Sequence, residues 1–301
     1  MNELISAFFW ICIFLCGQFF EDALAQKSEE WQAFMDEGAY RAASVEAERI
    51  YFEAETSHER AQAALARSWA LKHLGEHQQA RENLRRVSMR NLSPELEFRI
   101  HYERTLLHYL EGEFNDARNS LEQLRHFVDK PEWQDLAEYL EILSLIELNR
   151  WDDAYSATED YLESIEASFS ADSVFKQDPP RLRDPDRAEI LSSFLPGAGL
   201  IYAGKPGGGL GNAAIQISAL GWGVYNVLSG YYLTALFSGG GLFQAFYFGG
   251  IERAGVVANR HNEEETINYN AELTESLLRQ IEPYLNKKRR TLKDSPFDIK
   301  Q

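Results

Sequence analysis

The amino-acid sequence predicts an all-α protein: a solenoid of helical hairpins, then a two-helix transmembrane hairpin, then a C-terminal amphipathic helix. Three observations predict this fold class. Two columns of small residues recur with a period of 37 in the first half of the chain. A run of 46 residues without Asp, Glu, Lys or Arg follows them, from Pro206 to Ile251. Beyond this run, apolar residues at helical spacing continue to about Glu282.

Residues 1–25 have the features of a secretory signal peptide. An uncharged apolar run ends at Phe20, and Ala23-Leu24-Ala25 has the small-x-small form of a signal-peptidase site, so we predict cleavage after Ala25. The segment lacks the basic residue that usually begins such a signal, and an uncleaved anchor is the alternative. Both cysteines, Cys12 and Cys16, lie in this segment, so the predicted mature chain excludes disulfides and thiolate metal sites.

Two columns of small residues define four copies of a repeat within residues 26–168. The first column is expected to end a helix in the left-handed conformation, which Gly and Asn tolerate best. The second lies on the following helix, where a methyl side chain permits close contact with the preceding helix. The first column is Gly38, Gly75, Gly112 and Asn149, and the second is Ala43, Ala80, Ala117 and Ala154.

Helix starts agree with this division into repeats. Ser93-Pro94 and Lys130-Pro131 each place proline at the first position of a helix, and Ser57 precedes another start. The pattern resembles the tetratricopeptide repeat family, although its period is longer than the usual one of about 34. The resemblance implies a superhelical scaffold whose groove binds a protein partner, and it implies no catalysis.

Residues 169–187 break the periodicity, and their Asp-Pro steps predict a linker. A glycine-rich membrane domain is predicted over residues 188–262, with helices at 210–228 and 231–251 joined by Ser229-Gly230. Each helix has about the 20 residues that one bilayer crossing needs. Many Gly and Ala residues lie four apart, a spacing that lets membrane helices approach closely. The alternatives are a glycine-rich core of a soluble domain and a lipid-facing β-hairpin.

The uncharged stretch 190–204 is broken by proline and too short to span a bilayer, which favours an interfacial or re-entrant segment. Its pattern Leu-Pro-Gly-x-Gly-x-x-Tyr-x-Gly-Lys is similar to a bacterial family of small two-helix membrane domains of poorly defined function. That resemblance implies a membrane module and assigns no activity. A phosphate-binding loop is disfavoured, because Pro206 offers neither a hydroxyl nor an N–H. The matching residues are Pro196, Gly197, Gly199, Tyr202, Gly204 and Lys205.

Residues 263–301 predict an amphipathic helix and a basic tail. Glu263-Glu264-Glu265 is interpreted as the acidic first turn of this helix, beside the positive end of its dipole. Pro283 is expected to end or kink it. The basic run Lys287-Lys288-Arg289-Arg290 either contacts anionic lipid headgroups or remains solvated.

No combination of residues predicts a catalytic, cofactor-binding or metal-binding site, so we predict that the chain is not an enzyme. His73 and His77 flank a predicted helix end and are not expected to share a helix. His101 and His108 are expected to lie on one helix, two turns apart. Both pairs are interpreted as surface or groove residues rather than metal ligands.

The sequence predicts a non-enzymatic adaptor of the bacterial cell envelope. Its net charge of −17 argues against nucleic acid as a partner. The expected partners are a protein and the lipid bilayer, in a homo-oligomer or a larger complex. The signal peptide places the repeats in the periplasm at the inner membrane, whereas basic residues flanking the hairpin favour cytoplasmic repeats. The alternative function is an oligomeric component of a transport or export complex, with a path lined by Asn212, Gln216, Asn226 and Gln244.

Overall fold

A computed structural model describes residues 28–125, 131–288 and 296 of the chain. All regular structure among these residues is helical, so the predicted all-α class is confirmed. The predicted signal peptide and most of the basic tail lie outside the described residues. The chain divides into two compact units: unit 1 is Met1–Val174 with Leu277–Gln301, and unit 2 is Phe175–Ser276.

Unit 1 contains four consecutive helical hairpins. Each hairpin packs against the next, and helix α3 also packs against α5, and α5 against α7. The helices are α1 (residues 28–36), α2 (Tyr40–Glu53), α3 (Ser57–His73), α4 (His77–Arg85), α5 (Pro94–Leu110), α6 (Phe114–Leu124), α7 (Pro131–Glu147) and α8 (Trp151–Ser164).

The two columns of small residues have the backbone and the burial that the period of 37 predicts. The first column has positive φ at every copy, +73°, +73°, +77° and +59° in chain order. At Gly75 the chain closes the helix end with a backbone hydrogen bond of 2.9 Å from Glu76 N to Leu71 O. All four alanines of the second column are fully buried. Each hairpin therefore turns at a residue in the left-handed conformation, and the buried alanine of its second helix lies in the contact with the first helix.

The left-handed column predicts a substitution effect that depends on the starting residue. A Cβ added at Gly112 would meet no atom within 4 Å, so only the positive φ opposes it. Gly112→Ala is expected to lower the free energy of unfolding by about 1–2 kcal/mol. Asn149→Gly should change it by less than about 1 kcal/mol, because Asn already adopts this conformation. Urea unfolding of the two variants tests this, and equal losses would contradict it.

Unit 2 is built around a helical hairpin and a short three-helix crossing. A small core of alanines with Leu200 and Val257 joins α9, α10 and α13. A π-helix, Ala235–Gly240, lies between the short helix α12 and the long helix α13. The helices are α9 (Pro185–Phe194), α10 (Ala198–Tyr202), α11 (Pro206–Leu228), α12 (Tyr232–Thr234) and α13 (Gly241–Lys288).

The predicted linker 169–187 is too long at its C-terminal end. Asp184 caps α9 by accepting hydrogen bonds from Asp186 N (3.0 Å) and Arg187 N (3.3 Å), and Pro185 is the first residue of that helix. In the sequence alone, Asp184-Pro185 is a turn signal. The same pair also matches an N-cap followed by a first-turn proline, and the packing of Ala188 in the core selects the helix.

The prediction of separate helices at 231–251 and from Glu263 onward is wrong, because α13 is one continuous helix of 48 residues. Glu263 to Glu265 lie inside it and are not its first turn. Between residues 251 and 263 the helix packs against α9 and α10 through Ala254, Val257 and Ala258, and it continues without a break. The first hairpin helix begins at Pro206, four residues before its predicted start at Leu210.

The helix also continues past Pro283, where the sequence predicts an end or a kink. A proline inside a helix costs about 3 kcal/mol. Hydrogen bonds hold the helix on both sides of position 283. Gln280 Nε2 donates to Ser173 O (3.2 Å), and Tyr284 Oη accepts from Ser168 N (3.0 Å). The end of α13 therefore packs beside the segment that follows the fourth hairpin, within unit 1.

Among residues 28–125 and 131–288, no helix combines the length and the apolar character that a bilayer crossing requires. The predicted transmembrane assignment of helices 210–228 and 231–251 is therefore not supported.

Candidate functional site

The Leu-Pro-Gly pattern forms the point where α9, α10 and α11 cross. Gly197 has φ of +82°, and a Cβ there would overlap the Gly209 carbonyl oxygen. A Cβ at Gly199 would overlap the Ala188 carbonyl oxygen and Ser192 Oγ. Ser192 Oγ instead accepts a hydrogen bond from Gly199 N, at 3.2 Å. The two glycines thus permit backbone contact that no larger residue allows.

The remaining residues of this pattern have structural roles where the structure gives contacts for them. Tyr202 Oη accepts a hydrogen bond from Asp184 N (3.1 Å), and the Arg187 guanidinium lies 5.5 Å from the centre of the Tyr202 ring. Gly204 has φ of +87°, and Lys205 is the N-cap residue of α11. Pro196 lies in the turn before α10. The pattern therefore packs α9, α10 and α11 against one another where the hairpin begins. The predicted interfacial segment 190–204 is part of this crossing.

Small residues bring the two arms of the hairpin into backbone contact. A Cβ at Gly239 would overlap Gly223 Cα, so the Ala219/Gly223 and Ala235/Gly239 pairs face each other. The small residues spaced four apart therefore form the contact between the two arms of the hairpin within one chain. Gly207, Gly211 and Gly249 have no atom within 4 Å of an added Cβ.

Of the four polar residues of the hairpin, Asn212 and Gln216 contact each other, and no contact joins Asn226 or Gln244 to them. Gln216 is buried, and its Nε2 donates to Asn212 Oδ1 (2.6 Å) and to Phe246 O (3.2 Å). Asn226 Nδ2 donates to Trp222 O on its own helix (2.8 Å), and Gln244 is exposed. Asn212 and Gln216 therefore tie α11 to α13, which is the role of an interhelical hydrogen bond.

The outer surface of this hairpin is apolar. Leu228 is 83% exposed and Phe237 is 75% exposed, close to the turn at Ser229-Gly230. Seventeen exposed large apolar side chains lie between Leu210 and Phe248, against three among the described residues of the four hairpins of unit 1. Patches of this extent on a folded protein mark contact with lipid or with another protein. We call residues 210–248 the apolar hairpin.

Charged side chains connect the hairpins of unit 1 near their left-handed turns. At the junction of the second and third hairpins, Arg81 pairs with Glu111 (2.9 Å) and with Glu113. His108 Nδ1 lies 2.7 Å from the same Glu113 carboxylate. The Arg81 hydrogen bond and then the His108 hydrogen bond lower the pKa of Glu113. At the preceding junction Arg41 pairs with Glu76.

Of the four histidines in the two pairs, only His108 belongs to a group of possible metal ligands in the described part of the chain. His73 ends α3 and His77 begins α4, as expected, and His73 stacks on Tyr40 with ring centroids 4.6 Å apart. His108, Glu113 and Asp116 have ligand atoms within 4.8 Å of one another. The Arg81 guanidinium already occupies the Glu113 carboxylate, so this cluster has the arrangement of an ion pair between repeats.

His101 predicts a pH dependence of stability. Burial lowers its pKa, and nearby Arg104 lowers it further, whereas the unfolded side chain titrates near 6.5. Below about pH 6.5 the unfolded chain therefore binds more protons, and the free energy of unfolding falls as the pH drops. His101→Gln should lose less stability between pH 7.5 and 5.5 than the wild type does. Urea midpoints at both pH values check this, and identical losses would contradict it.

Fold and surface together define a chain of repeated helical hairpins joined to a glycine-rich module with an apolar hairpin. Compared with models of known protein families, with curated proteins and with solved structures, the chain matches none of them. The Arg–Glu pairs between repeats are not among the sequence-based predictions. The signal was present, because Glu76 and Glu113 are themselves 37 residues apart, each directly after the left-handed glycine.

Proposed function

We propose that this chain is a non-enzymatic adaptor of the bacterial cell envelope. The apolar hairpin attaches it to the inner membrane, and the repeated hairpins bind a protein partner. The observation that carries this proposal is the contrast between the two surfaces: exposed large apolar side chains are concentrated in the apolar hairpin, and the described surface of unit 1 is mainly charged and polar.

Attachment to lipid is supported by the type of residue that the apolar hairpin exposes. Trp222, Tyr225, Tyr231 and Tyr232 are each at least half exposed, and such aromatic residues favour the interface between lipid tails and headgroups. Leu228, Leu233 and Phe237 surround the turn and offer apolar area for the hydrocarbon. Each such side chain contributes about 1.5–3 kcal/mol when it leaves water.

Partner binding is supported by the architecture and surface of the repeated hairpins. Only Val45, Phe52 and Leu110 are exposed among the large apolar side chains of α1–α8 as described. A partner of these helices would therefore be recognised mainly by polar and charged contacts. The alternative transport function receives less support. Asn212 and Gln216, two residues of the predicted polar path, donate their side-chain hydrogen bonds to Phe246 O within the hairpin.

Thiol labelling of the full-length protein in bacterial cells tests attachment and orientation together. Single cysteines replace Asn119, exposed on α6, and Ser229, exposed in the hairpin turn, in a chain with Cys12 and Cys16 changed to serine. With a permeabilised outer membrane, an impermeant maleimide should label position 119 and not position 229, and the protein should sediment with membranes. Recovery in the soluble fraction with both positions labelled would overturn the proposal.

A further inference from the structure

The junction between the third and fourth hairpins lacks the acidic partner that the preceding junction has. Arg81 on α4 contacts three side chains of the next hairpin: His108, Glu111 and Glu113. Moving each of these four positions by one period of 37 gives Arg118 in place of Arg81. The partners become Leu145, Leu148 and Arg150. The arginine is thus repeated, while both carboxylates are replaced, one by leucine and one by a second arginine.

Arg118 therefore keeps its position without its ion pair. Its Nε is buried and donates to no acceptor, and among the described residues no carboxylate lies within ion-pair distance of its guanidinium. Burying part of a guanidinium without a hydrogen-bond acceptor is unfavourable. Arg150 lies at the place of Glu113, and within the described ranges its one ion pair is with Asp153, at 2.6 Å.

A cavity of about 360 Å³ lies at this junction. Arg118, Leu145 and Arg150 all line it, so the three positions that correspond to Arg81, His108 and Glu113 meet there. A third arginine in the lining, Arg125, pairs with Glu141. Glu138, which also lines the cavity, accepts a hydrogen bond from Gln134 at 2.9 Å.

We infer that this cavity binds a single carboxylate group of the protein partner, between Arg118 and Arg150, where the preceding junction has its own Glu113. The inference rests on the proposed function, because it names the chemistry that the repeated hairpins recognise. Two guanidinium groups hold a carboxylate through paired N–H donors. Four carboxylates also line the cavity: Glu141 and Asp153 pair with Arg125 and Arg150, and Glu138 and Asp160 add negative charge that disfavours a polyanion.

Arginine footprinting on the full-length protein in a nonionic detergent tests the site without any partner. Phenylglyoxal modifies accessible guanidinium groups, and mass spectrometry measures the rate at each arginine. The probe is acetyl-Gly-Glu-Gly-amide, and the matched control is acetyl-Gly-Gln-Gly-amide, at constant ionic strength. The glutamate peptide should slow modification of Arg118 and Arg150 several-fold with saturation. Exposed Arg85, which pairs with Glu82, should react at an unchanged rate.

Two variants separate binding from a general effect on the fold. Arg150→Glu restores one of the two carboxylates of the preceding junction, again with an acidic residue three positions later, and should protect Arg118 with no peptide present. Arg118→Gln should abolish protection of Arg150. Equal protection by both peptides, protection by inorganic phosphate alone, or unchanged rates at Arg118 would overturn the inference. These outcomes leave the labelling test of attachment untouched, so the two proposals fail independently.

Discussion

Gly199→Ala is expected to lower the free energy of unfolding of unit 2 by about 3 kcal/mol, the upper range for an overpacked core. The added methyl would overlap the Ala188 carbonyl oxygen, which is backbone and has no rotamer to change. It would also push against Ser192 Oγ and break the hydrogen bond that this oxygen accepts from Gly199 N. Urea unfolding in detergent, together with protease resistance at residues 185–205, measures the loss.

A second glycine of the same module provides the matched control. Gly207 lies in the first turn of α11, and a Cβ there would meet no atom within 4 Å. Gly207→Ala is therefore expected to leave stability unchanged or to raise it by up to about 1 kcal/mol, from helix propensity alone. If both variants behaved alike, the tight crossing of α9, α10 and α11 would not be what restricts position 199.

Leu228→Asp combined with Phe237→Asp is expected to reduce binding to neutral lipid vesicles by about 100-fold or more. Each side chain is at least three-quarters exposed, so the exchange removes no packed core. Burying each in lipid contributes about 1.5–3 kcal/mol, and about 1.4 kcal/mol corresponds to a tenfold change in affinity. Vesicle flotation of the purified full-length protein, after detergent removal, measures the change.

Phe52→Asp is the control for this pair. Phe52 is 74% exposed, nearly the same as Phe237, but it lies on α2 in unit 1. Its replacement should leave flotation unchanged. Equal losses for the two phenylalanine positions would indicate a general effect of added charge and would remove the support for attachment through the apolar hairpin.

The repeated hairpins were predictable because their signals are local. A left-handed residue at Gly38, Gly75, Gly112 or Asn149 is required by the backbone of the turn itself. A buried methyl at each alanine of the second column is required by the contact of adjacent helices. Such requirements recur at every copy, so a single sequence displays them four times.

Unit 2 was harder to predict because its helix boundaries depend on distant contacts. Asp184-Pro185 fits a linker or a helix start equally well, and only the burial of Ala188 against α10 and α13 decides between them. The residues on either side of Pro283 in α13 likewise contact Ser168 and Ser173, more than 100 residues away. The π-helix at Ala235–Gly240 includes Gly239, which approaches Gly223 closely; the four-residue spacing of small residues predicts such an approach but not the π-helix.

The sequence by itself determined the all-α class, the period of the repeats and the position of the uncharged, glycine-rich stretch. These properties follow from side-chain volume, backbone freedom and the periodicity of apolar residues along one chain. Only the tertiary structure decided that the small-residue spacing closes the hairpin on itself and that Arg118 faces Leu145 and Arg150 across a cavity. The physical reason is that packing and ion pairing depend on which residues meet in space, and those residues are far apart along the chain.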